Sequence, residues 1–220
     1  MKTYEILGIN VKDHSVRESL RMTGEFLKES SPSLVYFLTN ESLLEASGSA
    51  DYKVFIEDNT DMTIIAASDI YKAAGVEDRA RIREISKNLY LKGLLHSLSK
   101  EQRRLYLLTQ TSDQMAELKH LLATFESALQ VAGTHDNAAT ETAEDITNDI
   151  NSVTPYVVFA VMTGKKGADF INAGKKFMNT RLIVVLQPEL LKIREDGSVK
   201  QSVLARLSGK LFTRIAGKHM

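Results

Sequence analysis

Residues 156–187 read YVVFAVMTGKKGADFINAGKKFMNTRLIVVLQ, and this stretch decides the fold class. Two apolar runs, YVVFAVM (156–162) and RLIVVLQ (181–187), enclose the amphipathic segment GADFINAGKKFMN. Both runs are too short to span a bilayer, and their β-branched content is typical of buried strands. A strand, a helix and a second strand in this order predict a parallel pair joined by a crossover helix.

The same alternation extends over most of the chain. Further candidate strands are residues 4–11, 34–39, 62–67, 104–109 and 128–133. Continuous apolar strands separated by helices predict an α/β fold, a mostly parallel sheet with helices on both faces. Right-handed crossovers then bring the strand-to-helix loops to one edge of the sheet, where such folds hold ligands.

Two helical details follow from local patterns. The longest helical region is predicted over residues 76–98, with a break near Gly93. The polar segment 135–145 reads as a loop that enters a helix, with Thr140 or Thr142 as its N-cap. Residues 1–195 are therefore expected to form one domain, followed by a C-terminal helix over residues 196–220.

Composition excludes several functional classes. The 220 residues contain 28 basic and 28 acidic side chains, so net charge gives no reason to expect nucleic acid as a partner. There is no cysteine, which excludes disulfides, Cys-ligated zinc and a cysteine nucleophile. The five histidines do not pair at metal-ligand spacing, so no metal site is predicted. The start of the chain, MKTYEILGIN, lacks the apolar region of a secretory signal, and a cytoplasmic location is expected.

Polar residues at strand ends are the candidate site. No dinucleotide fingerprint or P-loop is present, so no cofactor is predicted. Lys166 lies in the loop 163–167, which either holds a phosphate at a helix N-terminus or forms a turn with a solvated lysine. His135 either faces a ligand or is a satisfied loop histidine. Asp69 either acts chemically or caps the following helix, and Glu41 either touches substrate or favours the positive end of its helix.

The C-terminal segment has an apolar face flanked by positive charge. Val203, Leu207, Leu211 and Ile215 repeat every four residues, and four basic residues repeat beside them at the same spacing, namely Arg206, Lys210, Arg214 and Lys218. This pattern suits a helix at an anionic membrane surface or a protein partner. The alternative is a terminal helix that packs its apolar side on the domain.

Two stretches together resemble the WecG/TagA/CpsF glycosyltransferases. ILGINVKDHSVRESL is similar to the opening strand and first helix of that family. VAGTHD (131–136), followed by DITNDINSVTPYVVFAVM, resembles its Gly-Thr-His-Asp-Gly segment and the helix before the next strand. The order of elements from residue 4 to about 187 also fits.

The resemblance implies a Rossmann-like domain that acts on envelope polysaccharide or teichoic acid precursors. Family members transfer an N-acetylated amino sugar, or its uronic-acid form, from a UDP donor to a polyprenyl-diphosphate-linked sugar. They need no dinucleotide, and they attach to the membrane through a basic C-terminal segment. The implied ligand is thus a UDP-sugar, and the implied location is the inner face of the plasma membrane.

The chain departs from the family at its catalytic motifs. Alignment on the flanking apolar positions places Phe37, Thr39 and Glu41 on the family's Thr-x-Asn-x-Glu. Ala66 falls where a Pro-Asp-Gly supplies the candidate general base. Lys165-Lys166-Gly167-Ala168 replaces Pro-Lys-Gln-Glu and retains only Lys166, and the later Arg-Ala-Pro has no counterpart. Neither phenyl nor methyl groups exchange protons or hydrogen-bond a sugar.

Three functions are consistent with these features. The first is a non-catalytic or altered relative that serves a glycan pathway as partner, activator or sugar-nucleotide binder. The second is an active transferase with a rearranged site, in which Asp69 is the base, His135 or Lys166 meets the diphosphate, and Thr39 and Glu41 contact substrate. The third is an interaction module with no ligand.

Overall fold

The structure is a computed structural model that describes residues 2–136, 138, 140–193, 198, 209 and 212. Its centre is a six-stranded sheet. The strands of the described chain are β1 Lys2–Ile6, β2 Ile9–Asp13, β3 Ser33–Leu38, β4 Met62–Ile65, β5 Arg104–Thr109, β6 Gln130–His135, β7 Val157–Val161 and β8 Leu182–Leu186. The sheet has the order β4-β3-β8-β7-β5-β6, and each neighbouring pair is parallel. The predicted parallel α/β architecture is confirmed.

Helices connect successive strands of this sheet. Their bounds are α1 Val16–Phe26, α2 Asn40–Ser47, α3 Ala50–Val54, α4 Ser68–Ala73, α5 Arg79–Ser86, α6 Leu89–Lys100, α7 Ser112–Phe125, α8 Ala143–Val153 and α9 Gly164–Gly174. A π-helical turn follows α3 over Phe55–Asn59, and 3-10 turns cover Lys175–Phe177 and Pro188–Leu190. Because every sheet strand runs the same way, all six carboxyl ends lie along one side, which we call the carboxyl edge.

The sheet separates two apolar cores. Side chains alternate along each strand, so Tyr36 and Leu38 of β3 enter one core while Val35 and Phe37 enter the other. The first core is completed by α2, α3, α8 and α9, and the second by α6 and α7. Burial on both faces explains why the strands read as continuous apolar runs.

Residues 4–11 form a hairpin and not the single strand that the sequence predicts. Strands β1 and β2 pair antiparallel, and Ile6 faces Ile9 across the two-residue turn at Leu7 and Gly8. Both turn residues have positive φ, 54° and 73°, as a tight two-residue hairpin turn requires. Leucine is not a typical residue for this conformation, so the run YEILGINV gave no sign of a turn.

The predicted helical region 76–98 is interrupted elsewhere than expected. The break lies between α5 and α6 at Asn88, whose φ is 51°, and not at Gly93. Gly93 lies inside α6 where the helix approaches α1, because a Cβ there would stand 2.8 Å from Cδ1 of Leu20. The glycine is explained by close helix packing.

The structure shifts one predicted strand and decides between two candidate N-caps. Strand β6 occupies residues 130–135, shifted by two from the predicted 128–133. Thr142, and not Thr140, is the N-cap of α8, and its hydroxyl accepts the backbone N–H of Asp145 at 3.2 Å.

Most of the predicted C-terminal helix lies outside the described residues, including Arg206, Leu207, Lys210, Leu211, Arg214 and Lys218. Gly209 and Phe212 are described, and both are helical and buried. Phe212 is fully buried within the first core. In the described part of the chain, no helix is long and apolar enough to cross a membrane.

Candidate functional site

Thr39 and Glu41 follow β3 at the carboxyl edge and begin α2. Thr39 is the N-cap: its hydroxyl accepts the backbone N–H of Ser42 at 3.3 Å, and the Ser42 hydroxyl accepts the Thr39 N–H at 2.9 Å. Glu41 lies in the first turn, where a negative charge favours the helix. Helix initiation thus accounts for Thr39, whose side chain is buried.

Asp69 follows β4, the neighbouring strand, and reaches across to Asn40. Its carboxylate accepts a hydrogen bond from Lys72 Nζ at 2.7 Å and a longer one from Asn40 Nδ2 at 3.4 Å. The expectation that Asp69 caps α4 is wrong, because the N-cap is Ala67 and no side chain makes a capping bond there. The helical backbone at Gly209 covers this carboxylate, since a Cβ on Gly209 would stand 2.6 Å from Asp69 Oδ2.

Phe37 and Ala66 line a cavity of about 30 Å³ beside the ends of β3 and β4. Phe37 is 3% exposed, and its ring centroid lies 5.9 Å from that of Tyr90 on α6. The cavity also contacts His14 and Arg81, and it has room for about one water molecule.

The N-terminus of α9, which follows β7, holds a carboxylate of the protein itself. Glu45 of α2 accepts the backbone N–H of Lys165 at 2.9 Å, and its carboxylate lies against Gly164. The Lys165 ammonium pairs with Asp169 at 2.8 Å and Asp51 at 3.5 Å. Lys166 is exposed in the same turn. The loop that the sequence offers for a phosphate is therefore already neutralised by Glu45.

Gly167 lies one turn further along α9 and packs directly on the strand end. A Cβ at this position would stand 2.7 Å from the Cβ of Met162. The backbone of α9 thus excludes any side chain at this position. In the adjacent loop after β5, the Gln110 amide oxygen accepts the Thr163 hydroxyl at 2.9 Å, which ties the ends of β5 and β7 together.

Sequence reasoning missed Gln187 and Glu189, which follow β8 in the middle of the sheet. Gln187 Nε2, Glu189 Oε2 and the nearby Asn40 Oδ1 are buried and have no hydrogen-bond partner. An unpaired buried polar atom costs about 1–3 kcal/mol, so such atoms are rare in folded proteins. Burial, together with the charge of Glu41, raises the pKa of the Glu189 carboxyl. Glu41 and Asp69 are candidates because they follow apolar runs. Glu189 follows an apolar run in the same way, so this signal could have found it.

His135 ends β6 at the far side of the sheet. Its Nδ1 lies 3.5 Å from Asp149 and its Nε2 3.4 Å from Glu141, and the Tyr106 hydroxyl donates to the same Asp149. Strand β6 is five positions from β4, or roughly 24 Å at about 4.8 Å per strand. His135 and Asp69 therefore do not meet in one cleft. Within the described ranges, no three His, Asp or Glu residues are placed to hold a metal ion.

Comparison with known proteins gives one decisive result. The family model described as "Glycosyl transferase WecG/TagA/CpsF family" matches residues 4–186, most of the chain. The chain belongs to the WecG/TagA/CpsF family. No curated protein matches it in sequence. Membership indicates a glycosyltransferase-like role in cell-envelope polysaccharide synthesis, in a pathway of sugar nucleotides and lipid-linked glycans.

The WecG/TagA/CpsF motif positions can now be compared with the geometry. In the alignment that the sequence suggests, Phe37 falls at the motif threonine, and it is part of the second core. Ala66 falls at the motif aspartate and lies beside the small cavity. Gly167 falls at the motif glutamine, where a Cβ would stand 2.7 Å from the Cβ of Met162. Binding of substrate by Thr39, Glu41, His135 and Lys166 stays a prediction.

Proposed function

We propose that this chain is a WecG/TagA/CpsF protein that no longer transfers sugar by the family mechanism. It serves the glycan pathway as a partner, activator or sugar-nucleotide binder. The observation that carries this proposal is the cavity of about 30 Å³ lined by Phe37 and Ala66. Two apolar side chains there replace the hydroxyl and the carboxylate of the family motif.

The chemistry of these replacements supports loss of turnover. Loss of a positioned acid or base typically lowers a rate by a factor of about 10²–10⁴. The nearest carboxylate in the chain after β4 is Asp69, which is engaged by Lys72 and Asn40 and covered at Gly209. Such a carboxylate is poorly placed to take a proton from a sugar hydroxyl.

An active transferase with a rearranged site is the second candidate. The separation of His135 from Asp69 opposes the version in which these two residues cooperate. One observation favours an active transferase. Glu189 is a partly buried carboxyl with a raised pKa at the carboxyl edge, as a general acid or base often is. A ligand-free interaction module is the third candidate, and the neutralised α9 N-terminus favours it.

The first test measures sugar transfer and ligand binding on one preparation. Purified protein is incubated with labelled UDP-N-acetylglucosamine or UDP-N-acetylmannosamine and a polyprenyl-diphosphate-linked N-acetylglucosamine. We expect no product above background, together with a rise in melting temperature on titration with one of the nucleotides, because a ligand that binds only the folded state stabilises it.

Asp69→Asn and Lys166→Met complete this test. Measurable transfer that either substitution abolishes would overturn the non-catalytic proposal in favour of the rearranged transferase. Neither transfer nor a thermal shift at millimolar ligand would favour the interaction module.

We also propose that residues 196–220 form a helix that contacts an anionic membrane surface or a partner through Arg206, Lys210, Arg214 and Lys218. The basic spacing supports this proposal. Flotation with vesicles rich in phosphatidylglycerol should exceed flotation with phosphatidylcholine alone. Replacement of Leu207 and Leu211 by glutamate should abolish the difference. Equal flotation with both vesicle types would contradict membrane contact.

A further inference from the structure

Three buried polar atoms without partners lie at the ends of two adjacent central strands. They are Asn40 Oδ1 after β3, and Gln187 Nε2 and Glu189 Oε2 after β8. Asn40 is 5% exposed and Gln187 is 3% exposed. Buried side-chain polar atoms in folded proteins are nearly always paired with protein or with ordered water. Such a group at a carboxyl edge therefore points to a partner that comes from outside the chain.

The pairing of β3 with β8 brings the residues that follow these two strands to the same part of the carboxyl edge. Asn40 lies two residues after the end of β3, and Gln187 and Glu189 lie one and three residues after the end of β8. The Gln187 amide interacts with the Tyr36 hydroxyl, but its Nε2 has no partner in hydrogen-bonding geometry. The Tyr36 hydroxyl is already paired with Tyr52 at 2.6 Å. The chain itself therefore leaves an amide donor and an amide acceptor unused.

The electrostatic surroundings select the kind of ligand. Burial, and after it the charge of Glu41, raises the pKa of the Glu189 carboxyl. A site that presents an amide oxygen and a carboxyl offers a phosphate a single donor, the Gln187 amide. A sugar hydroxyl is neutral and both donates and accepts, so it matches a free amide N–H, a free amide oxygen and a carboxyl.

We propose that Asn40, Gln187 and Glu189 form a recognition site for a neutral, hydroxyl-bearing sugar ring. Asn40 Oδ1 accepts from one hydroxyl, Gln187 Nε2 donates to another, and the Glu189 carboxyl contacts a third. Glu189 is partly exposed, whereas Asn40 and Gln187 are buried. This inference rests on the proposed sugar-nucleotide binding and assigns its sugar part to these three residues.

The test compares binding of the sugar nucleotide with binding of the nucleotide alone. Isothermal titration is run with UDP-N-acetylglucosamine, UDP-N-acetylmannosamine and UDP on the full chain, Gln187→Leu and Glu189→Gln. We expect each substitution to weaken binding of one sugar nucleotide about ten-fold, the effect of one hydrogen bond, and to leave UDP binding unchanged. Gln114→Leu is the matched control, because the Gln114 amide oxygen already accepts the backbone N–H of Gln110 at 3.0 Å.

Thermal unfolding provides a readout that does not depend on the ligand. Removal of an unpaired buried atom should leave the melting temperature of Gln187→Leu equal to or above that of the original chain. A clear fall would mean that the amide is paired within the folded protein, and it would overturn the inference.

The outcomes separate this inference from the function proposed above. If the sugar nucleotide binds and both variants bind it equally well, the sugar site is wrong and sugar-nucleotide binding stands. If UDP binds as tightly as its sugar conjugates, the sugar site is again wrong and nucleotide binding stands. If none of the three ligands binds, the sugar site and the sugar-nucleotide role both fail, and the absence of turnover is still tested by the transfer assay.

Discussion

At the scale of single residues, Phe37, which the sequence aligns with a motif threonine, is part of the apolar core. Phe37 is a core residue, because its ring lies against Tyr90 and the residue is 3% exposed. Tyr90 is fixed in turn by a hydrogen bond of 2.8 Å between its hydroxyl and that of Thr23. Neighbours on α6 and α1 therefore stabilise the position of the Phe37 ring.

Restoring the family residue at this position should destabilise the protein. Phe37→Thr removes a buried ring and buries a hydroxyl, so we expect a loss of about 3 kcal/mol or more in the free energy of unfolding. Phe37→Leu is the control and should cost less than about 1.5 kcal/mol, since volume is largely kept. Urea denaturation measures both. Comparable small losses would mean that the ring is not a core element.

Glu189 makes stability depend on pH in a predictable direction. Burial raises its folded-state pKa above the 4.5 of a free glutamate. A raised acid pKa means that the folded state prefers the protonated form, so stability is greatest below 4.5 and falls as pH rises through the folded-state pKa. Glu189→Gln should remove this fall and raise the melting temperature near pH 7 relative to the original chain.

Melting curves from pH 4.5 to 8 provide the measurement for Glu189. Glu25→Gln is the control, because Glu25 is an exposed carboxylate near the end of α1 that pairs with Lys28. Identical pH profiles for Glu189→Gln and the original chain would show that Glu189 is not desolvated in solution.

At the scale of elements, the sequence predicted Thr142 as one of two candidate N-caps for α8 and wrongly expected Asp69 to cap α4. The start of α1 has a complete capping box, in which the Ser15 hydroxyl accepts the Glu18 N–H and the Glu18 carboxylate accepts the Ser15 N–H at 2.8 Å. The turn at Leu7 and the break at Asn88 depend on positive φ at residues other than glycine. A helix cap depends on local residue types and can be recognised in the sequence. The positive φ angles at Leu7 and Asn88 are set by the packing of the elements on either side.

Loss of the capping box should change both the stability of the protein and the pKa of Glu18. The hydrogen bonds from Ser15 lower the pKa of Glu18 to about 2. We expect Ser15→Ala to cost about 1 kcal/mol of stability, the typical value of a helix cap. It should also raise the Glu18 pKa part of the way toward 4.5, because the hydroxyl donor is lost while the backbone N–H of residue 15 still donates. Because the folded-state pKa is depressed, the contribution of Glu18 is present above pH 4.5 and is lost as pH falls toward 2.

Urea denaturation and a carboxyl NMR titration measure these two effects. Ser86→Ala, at the exposed end of α5, should change stability by less than about 0.5 kcal/mol and leave the Glu18 pKa unaltered. An unchanged Glu18 pKa in Ser15→Ala would contradict the capping box.

At the scale of the whole molecule, two of the described residues of the C-terminal segment contact the domain. Phe212 is fully buried in the first core, and Gly209 lies against Asp69 and Asn40 at the carboxyl edge. The contact at Gly209 joins residues 140 and 169 positions apart in sequence. These two described residues of the C-terminal segment therefore pack on the domain.

Phe212 should behave as a core residue and not as part of a detached helix. We expect Phe212→Ala to lower the free energy of unfolding by about 3–5 kcal/mol. Phe177→Ala is the matched control, since Phe177 is 64% exposed, and it should cost less than about 0.5 kcal/mol. Denaturation curves that place both variants near the original chain would mean that Phe212 does not anchor the segment.

The sequence by itself determined the parallel sheet and the order of its elements, and it predicts the replacement of motif residues at Phe37, Ala66 and Gly167. Periodicity and residue type are local properties, and burial on both faces of a sheet leaves a continuous apolar run that can be read directly. Only the tertiary structure decided that Glu45 occupies the N-terminus of α9, 120 positions away, and that His135 lies far from Asp69. It also left Gln187 Nε2 and Glu189 Oε2, after β8, without hydrogen-bond partners. These relations depend on which strand ends become neighbours, and strand order is set by packing of the whole chain and not by any local pattern.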